Sequence, residues 1–130
     1  MAHWLIVVAT FATILHGSIT YYSRNLMERV YANRLAMHHV KPCPSCVGMI
    51  AVIHRQDVGK RAYLLVDGAT IGPVLIVDCA AAKDHARLEQ RGLVAEVSYP
   101  LAERLGMVGV GPLYDVDMVI VEPQGKEPPQ

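Results

Sequence analysis

The sequence predicts a small, mainly β domain of about six short strands and two short helices, closed into a barrel. Three observations predict it. Short apolar, β-branched runs alternate with Gly and Asp-Gly turn signals along the middle of the chain. A strand followed by a helix occurs twice in succession, in VLIVDCAAAKDHARL and then in LVAEVSYPLAERL. The chain has 130 residues, of which 52% are hydrophobic and 18% charged, enough apolar material for one core and too much for an unfolded chain.

The elements follow in order. Trp4 to Leu15 reads WLIVVATFATIL. This is shorter than the roughly 20 apolar residues that span a bilayer and close to the core of a secretory signal. No Lys or Arg precedes it, and the first charged residue of the chain is Arg24. Residues 1–18 are expected to be an export segment cleaved after Gly17 or Ser18, the alternatives being a buried element of the domain or an uncleaved anchor. Ser18 to Tyr22 reads as a strand. Arg24 to Val40 reads as a helix or a loop with a helical turn. KPCPSCVG, from Lys41, cannot be helix interior because its prolines remove donors and restrict their predecessors.

Met49 to His54 reads as a strand, and Lys60 to Val66 as its hairpin partner. Asp67-Gly68 is a tight-turn signal. Val74 to Cys79 is a continuous apolar run, as in a strand buried on both faces. Ala80 to Gln90 reads as a helix stopped at Arg91-Gly92. Leu93 to Ser98 reads as a strand. Ser98 is placed to cap a helix over Tyr99 to Leu105, with Pro100 in its first turn and Gly106 past its end. Leu113 to Val121 is the final strand, with Val116, Met118 and Ile120 on one face. Residues 122–130 (EPQGKEPPQ) read as a disordered Pro-rich tail, leaving the folded domain at 19–121.

Lys plus Arg and Asp plus Glu both number 12, the formal net charge is zero and the pI is about 7.0. No basic cluster is present, which excludes a nucleic-acid binder held by phosphate contacts. A charge-balanced domain is expected to recognise sugar by stacking rather than by electrostatic attraction. Six of the eight aromatic residues are Tyr, whose ring face and polar tip suit sugar. Asp78 ends an apolar strand and Glu96 lies within the next one. A carboxyl in apolar surroundings has its pKa raised, as a general acid requires.

The order of elements from Ser18 to Val121 resembles the double-psi β-barrel of the barwin, expansin and rare lipoprotein A proteins. Tyr21-Tyr22 stands where the family has a Trp-Tyr strand, and YANRL from Tyr31 stands where it has Thr-Ala-Asn-Gly-Glu. His38 or His39 precedes Val47-Gly48 and MIAVIH, as a family histidine precedes a Pro-x-Gly turn and strand. Val77-Asp78-Cys79-Ala80 falls at the family's Asn-Asp-Arg-Gly-Pro. The best match is AEVS with YPLAERLGM, at the Ile-Asp-Leu-Ser strand and its Ala-rich helix. The chain departs by keeping only the acid of Asp-Arg-Gly-Pro and by having Arg34 or Leu35 in place of the family's Glu.

The resemblance implies a six-stranded double-psi β-barrel that binds a cell-wall, peptidoglycan-like polysaccharide, secreted or held in the cell envelope. Membrane contact would be confined to the N-terminal apolar segment. Lytic transglycosylase members use a single acid with the sugar's own hydroxyl as nucleophile. Asp78 is the residue expected in that role, with Glu96 and His39 beside it and Tyr22, Tyr31 and Tyr99 against the glycan. The departures favour binding over catalysis. The alternative is a structural or assembly subunit, such as a surface or virion protein, using the barrel as a scaffold. No cofactor or metal is expected. The three cysteines allow a zinc half-knuckle at Cys43-x-x-Cys46, free thiols or a disulfide. The family's bridging of this loop to the barrel implies Cys46–Cys79, with Cys43–Cys46 as the alternative.

Overall fold

The computed structural model describes residues 12–122. They form six strands: β1 (Ala12–Tyr21), β2 (Gly48–Val52), β3 (Arg61–Val66), β4 (Ala69–Cys79), β5 (Leu93–Val97) and β6 (Leu113–Val121). Three helices lie between them: α1 (Leu26–Ala36), α2 (His85–Gln90) and α3 (Tyr99–Arg104). The strands close into a barrel, as the sequence predicts, and their order is β1-β5-β2-β4-β3-β6.

The pairing repeats itself. β1 runs parallel to β5 and antiparallel to β6. In the same way β4 runs parallel to β2 and antiparallel to β3. The remaining contacts, β2 with β5 and β3 with β6, are antiparallel. Each half of the chain therefore has the same order: a long strand, a helix, a short strand, a helical turn or helix, and a strand. Closure leaves few exposed edges for such a short chain to protect.

The barrel is filled from alternate positions. Ile19, Ile50, Leu64, Ile76, Val97, Met118 and Ile120 are all at most 1% exposed and meet in one cluster. Leu101, Ala102 and Met107, from α3 and the turn after it, belong to the same cluster. A second, smaller cluster lies outside the barrel wall. Met27 of α1 packs there on Ala51, Leu75 and Val77. α1 is thus pinned to the outer face of β2 and β4 by one fully buried side chain.

Turn chemistry accounts for the boundaries. Asp67 and Gly68 both have positive φ, 48° and 79°, and join β3 to β4 as the two-residue turn that matches strand twist. α1 ends with His39 N–H donating to the Arg34 carbonyl and His38 N–H to that of Leu35. His38, at φ 59°, occupies the left-handed position that glycine usually takes in this cap. α3 ends the same way on Gly106, with Met107 N–H donating to Ala102. Ser98 does precede α3, but its side chain makes no cap bond.

Three expectations need correction. Met49 to His54 and Lys60 to Val66 do not form a hairpin: β2 lies between β4 and β5, and β3 between β4 and β6. The first strand begins at Ala12, not Ser18, and residues 12–17 pair with Val116 to Val121 of β6. The stretch assigned to an export segment up to residue 18 therefore contributes much of β1, while Met1 to residue 11 lies outside the described residues. β4 begins at Ala69, well before Val74, because the Asp-Gly turn starts it at once and β3 supplies its partners from Val66 onward. Residues 123–130 of the expected tail also lie outside the described residues. Among the described residues no helix is long and apolar enough to cross a membrane.

Candidate functional site

Four strands place a row of side chains on the outer wall of the barrel. Thr20 on β1 lies opposite Glu96 on β5, Glu96 opposite Ala51 on β2, and Ala51 opposite Asp78 on β4. Residues directly opposite one another in adjacent strands share a face. Asp78 and Glu96 therefore rise from the same face on either side of a single small residue. Their Cα atoms are two strand spacings apart, about 10 Å.

A bulge creates this row. The β2–β4 register steps from Ile50↔Ile76 to Ala51↔Asp78, so Val77 is an extra residue on β4. Without it, Asp78 would alternate onto the barrel-core face. With it, Asp78 joins Ala51 beneath α1.

Asp78 is held by three donors. Tyr22 donates its hydroxyl to Oδ2 at 2.8 Å. Arg34 Nη2 reaches Oδ1 at 3.3 Å, and the Cys79 backbone N–H donates to the same oxygen at 2.9 Å. Both carboxylate oxygens are used as acceptors. The Arg34 and Asp78 side chains are only 19% and 20% exposed, so water screens this pair weakly. Arg34 Nη1 also donates to His39 Nδ1 at 3.0 Å, which requires that nitrogen to be unprotonated. Nη2 lies 4.0 Å from the Cys79 sulfur.

Glu96 differs from Asp78. Burial pushes its pKa above the ordinary carboxylate value, and the negative charge of Asp78 pushes it further. Burial likewise raises the Tyr22 hydroxyl, reinforced by its hydrogen bond to Asp78, so Tyr22 stays a donor at any physiological pH. Glu96 thus carries a stability cost that appears as pH rises. Its folded pKa is raised, so below the unfolded value it imposes nothing, and the penalty grows as pH climbs through the folded pKa. Glu96→Gln is expected to raise the melting temperature at pH 7 and to leave it unchanged near pH 4. Thermal melts at both values check this. A variant less stable than wild type at pH 7 would show that the charged form is favoured by the fold.

The structure brings part of the expected set of residues together and leaves part of it apart. Asp78, Glu96, Tyr22 and His39 are brought together, directly or through Arg34. Tyr31 borders the α1 cluster along with Tyr22. Tyr99 lies elsewhere: it stacks edge-on with Tyr21 at 6.1 Å and carries the Arg24 guanidinium 5.2 Å above its ring. Arg34 is the residue that sequence reasoning passed over. It was the substitution for an expected Glu, and it proves to be the counter-charge of Asp78.

The disulfide is also corrected. It joins Cys43 to Cys46, whose Cα atoms are 5.3 Å apart, and Cys79 is a free, partly buried thiol. The Pro-Ser spacer turns the loop back on itself, as Cys46 N–H donating to the Cys43 carbonyl at 3.0 Å shows. Cys79 instead ends β4 beside Arg34. Among the described residues no cluster of three His, Cys, Asp or Glu side chains could hold a metal ion.

Two cavities adjoin these groups. A small one of about 40 Å³ lies against Tyr22, Ala51 and Glu96, with room for little more than a water. A groove of about 900 Å³ opens between the loop after α1 and strands β3, β4 and β6, and His39 lines it. His39 therefore touches the groove on one side and, through Arg34, the Asp78 carboxylate on the other. No family model, curated protein or solved structure matches this chain.

Proposed function

We propose that this chain is an exported polysaccharide-binding barrel of the double-psi type whose outer wall can cleave the glycan it holds. The observation that carries the reading is the row Thr20–Glu96–Ala51–Asp78, with two half-buried carboxyl groups facing the same way across one alanine. The repeated strand pairing supports the double-psi assignment, and the Cys43–Cys46 disulfide is in keeping with an oxidising compartment.

The roles differ from the simplest expectation. A proton donor needs a raised pKa, and Glu96 has one. Asp78 has both oxygens engaged as acceptors and suits the complementary task of stabilising positive charge that develops at the sugar. Tyr22 lies between the two, hydrogen-bonded to Asp78 and lining, with Ala51, the small cavity at Glu96. The cavity at Glu96 is too small to enclose a sugar, so the glycan would lie along the wall, not within it.

Digestion of purified peptidoglycan and of insoluble glycans tests this directly. Wild type is expected to release soluble fragments. Glu96→Gln is expected to lose at least about a hundredfold in rate, the usual contribution of a general acid. Asp78→Asn is also expected to release less, and both variants should still sediment with the insoluble glycan. Sedimentation without release by wild type would reduce the protein to a binding module, and neither would overturn the reading.

A second reading, as an assembly subunit, draws on the turn between α3 and β6 and the start of β6. Val110 and Tyr114 are 80% and 71% exposed there. It predicts oligomers by light scattering and no affinity for glycan.

A further inference from the structure

The large groove has a definite chemical character. Its floor is a second row of opposed residues: Val121 on β6, Arg61 on β3 and Leu75 on β4 lie side by side and so share the outer face. The opposite wall is the loop after α1, with His38, His39 and Lys41. The lining is therefore basic on both sides, and among the described residues its one acid is Glu122. Glu122 is already engaged by Lys60 at 2.8 Å, and Lys60 is engaged again by Asp57 at 2.9 Å. Burial alone would lower the Lys60 pKa, but the two carboxylates outweigh it and raise the value. The three groups pair with one another and leave one negative charge in excess. Among the described residues, Arg61 and Lys41 have no acidic partner within ion-pair distance. Among the described residues the groove thus has two cations outside any ion pair, Arg61 in its floor and Lys41 on the wall above, in a chain whose net charge is zero.

The groove is held in shape by the fold. Gly59, with φ 96°, lets the turn before β3 approach the loop so closely that an added Cβ would lie 3.2 Å from the His39 carbonyl oxygen. The Cys43–Cys46 bridge closes the far end of the loop, and Val47 N–H fastens it to the Pro73 carbonyl at 2.9 Å. Val40, Val58 and Leu75 give the groove an apolar bed. A volume of about 900 Å³ is the size of a site for several sugar rings, far larger than an inorganic anion needs. Leu75 in its floor and Asp78 in the carboxylate row are three residues apart on β4, about 10 Å.

We infer that the groove binds a carboxylate-bearing oligosaccharide, with the Arg61 guanidinium and the Lys41 ammonium taking its acidic groups. Arg61 presents a planar fork that matches a carboxylate with two parallel hydrogen bonds. Lys41 is a point charge on the facing wall. The apolar bed takes the faces of the rings between them. This inference rests on the glycan-binding reading above and names the class of glycan. It replaces recognition of neutral sugar by stacking, expected from net charge alone, because the charges are unevenly placed.

Calorimetric titration tests it with three probes: a tetramer of galacturonic acid, a neutral cello-oligosaccharide of the same length, and a short polyglutamate peptide. The acidic tetramer is expected to bind at least about tenfold more tightly than the neutral one. Its affinity should fall several-fold between 20 mM and about 500 mM salt, because exposed charges are screened over that range. Arg61→Gln is expected to lose about tenfold in affinity for the acidic tetramer, the worth of one charge-assisted pair, with Lys41→Gln losing less. Both substitutions sit on exposed side chains, and an unchanged thermal melt confirms that the fold is intact. Equal binding of acidic and neutral tetramers overturns the inference but leaves the glycan-binding reading standing. Equal binding of polyglutamate reduces the groove to a general polyanion site and overturns it too. Failure to bind either glycan overturns the inference; the glycan-binding reading falls only if the protein also fails to sediment with peptidoglycan and the insoluble glycans.

Discussion

A chain beginning at Ile19 is expected to lose the barrel. Residues Ala12 to Gly17 pair with Val121 to Val116, six opposed positions along β6. Ser18 N–H adds a bond to the Gly92 carbonyl at 2.8 Å. Each backbone bond contributes about 0.5–1.5 kcal/mol net, so their loss is of the order of the whole stability of a domain this size. The consequence is also topological, since β6 would face solvent along most of its length and the barrel would be opened. Circular dichroism and urea denaturation of the truncated chain check this. A cooperative transition within about 1 kcal/mol of full length would show that β6 does not need its partner. If the truncated chain fails to fold, any cleavage on export that preserves the barrel must occur before Ala12.

Gly17 gives the same region a point test. A Cβ there would collide with the Gly92 carbonyl oxygen and come within 2.9 Å of a Val94 methyl group. The first obstacle is backbone and cannot rotate away. Gly17→Ala is expected to cost about 2–3 kcal/mol, at the upper end for overpacking.

The parts of the fold that local chemistry dictates were legible. Val116, Met118 and Ile120 alternate into the core as the sequence pattern requires, and Asp67-Gly68 makes the hairpin its composition announces. What escaped was set by geometry between distant segments. The apolar stretch before Ser18 reads the same whether it is a signal or a strand, and only the presence of β6 decides. Its exposed positions, such as Ile14 at 67%, give no alternation to read. The extra residue at Val77 leaves no mark on periodicity, because the VLIV before Asp78 is apolar throughout, yet it sets the face on which Asp78 stands. Arg34 and Asp78 are 44 residues apart, so nothing local joins them. The disulfide went to the nearer partner because Cys79 is fixed at the end of β4, while Cys43 and Cys46 share one turn.

Arg34 is expected to be the most sensitive side chain of the candidate site. Its guanidinium serves Asp78 Oδ1 at 3.3 Å and His39 Nδ1 at 3.0 Å at once. Arg34→Ala would leave a mostly buried carboxylate with only Tyr22 and one backbone N–H, beside the second acid Glu96. Stranding a buried charge costs several kcal/mol, and with this pair about one-fifth exposed we expect about 2–3 kcal/mol by urea denaturation. The same substitution in an Asp78→Asn background should cost under about 1 kcal/mol, because a neutral amide needs no counter-charge. A coupling energy above about 1.5 kcal/mol therefore marks a direct ionic pair, and additive costs would show that Arg34 acts only by packing. Arg34→Lys should recover little, since an ammonium cannot reach both Asp78 and His39 as a planar fork does. The cycle also bears on the wall's chemistry. If Arg34 fixes Asp78 as an acceptor, its loss leaves two carboxyl groups on one face across Ala51 with no guanidinium beside them.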